Sequence, residues 1–67
     1  MRLRDAEKLH EDDEVTLKKQ AARACGVTDL SAIVLVTKHD SEKTLHLDVL
    51  LNGGKGPFAT LRHDEVL

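Results

Sequence analysis

Apolar and polar side chains alternate most regularly in the second half of the chain. Every second position there carries an aliphatic residue: Leu45, Leu47, Val49 and Leu51. A period of two predicts a β-strand that buries one face and exposes the other. Thr44, His46 and Asp48 then lie together on the exposed face of that strand.

Two further strands are indicated on either side of this one. Residues 32–36 form a continuous apolar run rich in β-branched side chains, which predicts a strand covered on both faces. The polar residues 38–43 are typical of a hairpin connection, and the glycines of residues 52–57 are typical of a turn. Residues 58–61 resume a short strand, and residues 66–67 could add a last edge. We therefore expect three antiparallel strands between residues 31 and 61.

The first half of the chain predicts a short helix. Residues 18–25 are rich in alanine, and Gly26 stands where a glycine commonly ends a helix. One long helix over residues 5–25 is disfavoured, because Asp13 would lie within its apolar stripe.

Residues 14–18 can be interpreted in two ways. As a strand, they turn Val15 and Leu17 inward, and the chain runs strand, short helix, then three or four strands. As part of a helix, they leave an N-terminal helix packed on a three-stranded antiparallel meander.

The order with the extra strand resembles small SH3-like barrels. Their first strand often opens with glycine, aspartate, an acidic residue and valine, followed by basic residues. Residues 10–19, HEDDEVTLKK, look like this opening, with Asp12 where the family usually has glycine. Residues 58–67 are similar to the short last turn and strand of such barrels. The resemblance implies an α+β, β-rich fold: an antiparallel three- to five-stranded, partly open barrel with a short helix, about residues 18–25, in its first long connection.

Length and composition limit what this fold can be. With 67 residues, the chain has room for a single small domain, residues 1–67, and a domain of this size gains little net stability from its core, so a homodimer is a reasonable expectation. Phe58 is the only aromatic residue, so the core must be aliphatic. The net charge of −2 is spread over both halves and offers no basic half for nucleic acid.

Cys25 is the only cysteine, which excludes a disulfide within the chain and a zinc site built from several cysteines. A single free thiol is typical of a reducing compartment, so we expect a cytoplasmic protein. The pattern shows neither a secretory signal nor an apolar run long enough for a membrane span, and we expect no membrane partner.

Candidate chemistry is sparse. Histidine and aspartate occur close together at residues 39–40, 46–48 and 63–64, but such residues are common in turns, and we expect no catalytic residue, metal site or cofactor. The polar stripe, defined as Thr44, His46, Asp48 and Arg62, is the predicted recognition surface, and Thr60 is the other residue of the third strand that could join it.

Two other motifs have simpler explanations. The glycines of residues 53–56 lead to a proline and a strand, unlike a phosphate-binding loop, so they predict a hairpin turn. Residues 20–28 are similar to the first helix and turn of a helix-turn-helix motif, but the helix that would follow, residues 30–36, is almost wholly apolar.

The leading functional hypothesis is a small non-enzymatic binding module. It would contact another protein, or a second copy of itself, through an exposed strand edge that residues 66–67 protect poorly. The alternative is a regulatory protein that binds nucleic acid, as SH3-like or helix-turn-helix domains do, although the acidic balance and the lack of stacking aromatic residues argue against it.

Overall fold

Four antiparallel strands form one open sheet in a computed structural model that describes all 67 residues. They pair in chain order: β1 (Glu14–Thr16), β2 (Ser31–His39), β3 (Leu45–Leu50) and β4 (Phe58–Arg62). The remaining elements are short: helix α1 (Leu3–Ala6), helix α2 (Lys19–Cys25), a helical turn (Leu51–Gly54) and a 3-10 helix (His63–Glu65). The expected α+β, β-rich class is confirmed.

The alternation around β3 is confirmed residue by residue. Leu45, Leu47 and Val49 are buried, and Leu51 is buried just beyond the end of the strand. All 13 buried residues of the domain are apolar, and no buried polar side-chain atom lacks a hydrogen-bond partner. The core is therefore held by aliphatic packing alone, as the composition predicts.

The expectation that residues 32–36 are covered on both faces is wrong. Ala32 and Val34 point into the core, whereas Val36 is 49% exposed. The register between β2 and β3 shifts between Val34 and Val36, which inserts Leu35 as an extra residue in β2. No second layer covers the outer side of the sheet, so the apolar run lies on a one-sided strand.

Helix α2 ends as its sequence predicts. Gly26 adopts a left-handed conformation with φ of 74°, and the backbone N–H of Val27 donates to the carbonyl of Ala22 at 3.0 Å. Ala21 and Ala22 provide the buried face of the helix. The predicted short helix is confirmed to within one residue.

Residues 14–16 form a strand, so an N-terminal helix on a three-stranded meander is wrong as a description of this domain. Val15 and Leu17 are both buried, as the strand interpretation requires. The strand forms because Val15 lies opposite Ala32, and this pairing outweighs the helical tendency of the neighbouring alanine-rich segment. The helix-turn-helix interpretation is also wrong in geometry, since β2 replaces its second helix.

The last residues of the chain pair with the end of β1. Leu17 and Val66 form an isolated antiparallel bridge. The backbone N–H of Lys18 donates to the carbonyl of Glu65 at 2.9 Å, and that of Leu67 donates to the carbonyl of Thr16 at 2.8 Å. The expected last edge therefore exists as this short pairing, and it lies beside β1, leaving β4 without a second neighbour.

His63 joins distant segments, although its place in a predicted turn indicates only local hydrogen bonds. Its Nδ1 atom lies 3.0 Å from the carbonyl oxygen of Met1, and its Nε2 atom lies 3.2 Å from that of Lys43. The half-buried ring thus ties the start of the chain to the connection between β2 and β3.

Asp29 organises the start of β2. Its carboxylate accepts hydrogen bonds from the backbone N–H and the hydroxyl of Ser31 at 2.9 and 2.8 Å. These two hydrogen bonds lower the pKa of Asp29 below its usual value, and the bond from the backbone N–H has the larger effect. This local turn defines where the strand begins.

Asp12 adopts a left-handed conformation with φ of 75°, which strains a residue that has a Cβ atom. We predict that Asp12→Gly raises the free energy of unfolding by on the order of 0.5–1 kcal/mol, because glycine adopts this conformation freely. Urea unfolding followed by circular dichroism measures the change. Glu11→Gly is the matched control and should lower stability, since Glu11 has no positive φ to relieve; equal effects of the two substitutions would contradict the account.

Candidate functional site

The outer face of the sheet, on β2, β3 and β4, carries three cross-strand rows. Directly opposed residues of antiparallel strands project to the same side of a sheet. The register gives an apolar row, a mixed row and a basic row: Ile33, Leu50 and Phe58; Val36, Asp48 and Thr60; Lys38, His46 and Arg62. This face therefore grades from apolar to basic along the strands.

Three members of the polar stripe meet on this face. His46 lies directly opposite Arg62, and Asp48 lies opposite Thr60. The hydroxyl of Thr60 donates a hydrogen bond of 2.8 Å to Oδ1 of Asp48, which orients the carboxylate across the strands. The structure thus brings together His46, Asp48 and Arg62 and adds Thr60 to them.

Thr44 has a different role, because it immediately precedes β3. Its carbonyl oxygen accepts hydrogen bonds from the backbone N–H groups of Asp40 and Ser41, at 2.9 and 3.2 Å. These contacts close the connection between β2 and β3. Thr44 lies at the end of the stripe and its backbone stabilises the turn.

Arg62 is held by two acidic neighbours at the end of β4. Its Nε atom lies 3.2 Å from Oδ1 of Asp64 and 3.8 Å from Oε1 of Glu65. Its backbone N–H also donates to Oε1 of Glu65 at 2.9 Å. The side chains of Arg62 and Asp64 are more than half exposed, so the ion pair contributes little stability and the guanidinium can exchange partners.

Phe58 is the feature of the site that the sequence analysis missed. The residue is 59% exposed, although its side chain is the largest apolar one in the molecule. It lies opposite Leu50, which in turn lies opposite Ile33 on β2, and both of these residues are half-buried. The period of two along β4 was the available signal, because Ala59 and Leu61 face the core and leave Phe58 outside.

The open edge of β4 is the second feature of the site. β4 pairs with β3 on one side and has no strand on the other. The backbone N–H of Leu51 donates to the carbonyl of Pro57, so the alternation of antiparallel hydrogen bonds turns the N–H and C=O groups of Phe58 and Thr60 away from β3. The N–H of Arg62 also faces away from β3, but it already donates a hydrogen bond to the side chain of Glu65.

The remaining histidines contact different groups. The Nε2 atom of His39 lies 3.3 Å from Oε2 of Glu7, and the Nδ1 atom of His10 lies 4.0 Å from Oδ2 of Asp13. No group of three or more His, Cys, Asp or Glu side chains is arranged to hold a metal ion.

None of the helices combines the length and the apolar character that crossing a membrane requires.

Two open depressions flank α2. The larger, about 300 Å³, is lined mainly by charged and polar residues and lies between the start of α2 and the 3-10 helix. The smaller, about 280 Å³, has Val27 and Leu30 on its wall beside Lys19 and Arg23. Sites for small molecules are usually enclosed and mostly apolar, so the β4 edge offers the better defined recognition geometry.

Comparisons with models of known protein families, with curated proteins and with solved structures find no match. A functional conclusion therefore depends on the geometry of the domain itself. That geometry leaves an unpaired strand edge on β4, with an exposed aromatic ring at one end of the strand and an arginine at the other.

The bond between Thr60 and Asp48 should contribute measurably to the order of this face. We predict that Thr60→Val lowers the free energy of unfolding by about 0.5 kcal/mol, because the carboxylate of Asp48 loses its donor at a solvent-exposed position where water can replace it in part. When Thr60→Val is made in an Asp48→Ala background, most of that loss of stability should disappear, because the hydrogen bond is already absent there. Chemical unfolding of the four proteins tests this, and additive effects would contradict a direct bond.

Proposed function

We propose that this domain is a small non-enzymatic binding module that takes up an extended protein segment as an additional strand along β4. The observation that carries the proposal is the open edge of β4, where the backbone N–H and C=O groups of Phe58 and Thr60 face solvent. An unpaired edge is a template for another strand, and such strand addition is a common mode of peptide recognition.

The side chains beside the edge give the site selectivity. A segment docked on β4 would meet the ring of Phe58 near one end and the guanidinium of Arg62 at the other, with Thr60 between them. His46 and Asp48 lie in β3, about 10 Å from a segment beyond β4, so only the long side chains of such a segment would reach them. The polar stripe thus supplies the charged part of the recognition surface and Phe58 the apolar part.

For the fold, we propose an SH3-like, partly open barrel. Three observations support it: the bridge between Leu17 and Val66, the 3-10 helix before the last segment, and the left-handed Asp12. SH3-like domains usually have glycine where Asp12 stands, and a left-handed φ is the conformation that glycine adopts most readily. We further propose a cytoplasmic location, which suits the free thiol of Cys25.

Selection from a library of random linear peptides tests the proposal. Thr60→Pro removes an outward-facing N–H while leaving the hydrogen bonds to β3 in place, so proline should be tolerated at this edge position. The wild-type domain should enrich peptides that bind as strands, and Thr60→Pro should weaken them by about tenfold or more.

Thr60→Ala is the matched control, since it also loses the hydroxyl bond to Asp48 but keeps the backbone N–H. It should bind the selected peptides nearly as well as the wild type does. Equal binding by Thr60→Pro and Thr60→Ala, or enrichment of no peptide by the folded wild type, would contradict strand addition at β4.

A further inference from the structure

We infer that a second copy of this chain occupies the β4 edge, with the two β4 strands antiparallel about a twofold axis at Thr60. This inference rests on the proposed function and names its partner. The sheets of the two copies would join into one continuous sheet, and their outer faces would lie side by side. A twofold interface of this kind uses the same surface on both copies.

The backbone of β4 defines the register. The residues whose backbone groups face outward are Phe58, Thr60 and Arg62, and Thr60 is the centre of the five-residue strand. An antiparallel arrangement centred on Thr60 pairs the whole strand. It places Thr60 opposite the partner's Thr60 and Phe58 opposite the partner's Arg62, twice by symmetry.

The side chains favour this register over its neighbours. An exposed aromatic ring and an exposed guanidinium attract each other when they face across a strand pair, and both Phe58 and Arg62 are more than half exposed. The neighbouring registers, centred on Ala59 or Leu61, would pair only three residues of each strand and would not bring Phe58 opposite Arg62. A register centred on Arg62 would oppose two like charges. The edge is thus complementary to itself in one register.

The C-terminal end of β4 limits the pairing. The N–H of Arg62 faces outward but already donates to Glu65, so it is not available to a partner strand. The N–H groups of Thr60 and Phe58 remain as donors in each copy. The N–H of Thr60 can reach the carbonyl of the partner's Thr60, and the N–H of Phe58 can reach that of the partner's Arg62.

The expected dimer is reversible. Five paired residues a side fall well short of the roughly 1,600 Å² buried in a typical stable interface, so association should depend strongly on protein concentration. A net charge of only −2 on each copy opposes this contact weakly.

Cysteine cross-linking tests both the dimer and its register, in a Cys25→Ser background. Opposed residues of a hydrogen-bonded antiparallel pair lie about 5.5 Å apart between Cα atoms, which a disulfide can span. Thr60→Cys should therefore form a disulfide-linked dimer, and a mixture of Phe58→Cys and Arg62→Cys should form the mixed dimer. Phe58→Cys alone should not, because the two Phe58 positions would lie more than about 13 Å apart.

The oligomeric state of the uncross-linked protein provides an independent readout. Light scattering should show the wild type and Thr60→Ala passing from monomer to dimer as concentration rises, while Thr60→Pro stays monomeric, and circular dichroism verifies that each variant folds. A wild type that remains monomeric at every concentration, or Phe58→Cys alone cross-linking as readily as Thr60→Cys, would overturn the inference.

The outcomes separate the two proposals. If selected peptides bind the wild type but not Thr60→Pro while no dimer forms, the second copy is the wrong occupant and strand addition at β4 stands. If Thr60→Pro matches Thr60→Ala in both peptide binding and oligomeric state, both proposals fail.

Discussion

The pairing between the end of the chain and β1 is the constraint on which the rest of the architecture depends. Val66 bridges to Leu17, and both side chains are fully buried in the same aliphatic core. The last segment therefore completes the sheet at β1. Because this segment is already used there, the edge of β4 has no strand of its own chain beside it.

The same constraint explains why the outer face is left exposed. In so short a chain, the two helices and the sheet provide only enough apolar surface for one core. The aliphatic residues of β3 and the alanines of α2 fill that core, and no element remains to cover the far side of the sheet. Phe58 and Val36 are consequently left on the outside, next to the polar stripe.

The sequence predicts the parts of the fold that depend on local pattern. The alternation in β3, the short helix before Gly26 and the glycine-rich turn are all local signals, and each is confirmed. The pairing partner of Val66 could not be predicted in this way, because it depends on how a distant strand approaches. The same distinction holds for the site. The alternation of residues along β3 predicts that His46 and Asp48 share one face, whereas the open edge of β4 depends on which strands pair and could not be predicted from local pattern.

Amide hydrogen exchange along β4, measured on dilute protein, tests the central claim most directly. If β4 pairs only with β3, the amides of Ala59 and Leu61 should be protected and those of Phe58 and Thr60 should exchange rapidly, since an antiparallel strand alternates its hydrogen bonds between its two sides. Equal protection of Thr60 and its two neighbours under those conditions would contradict an open edge.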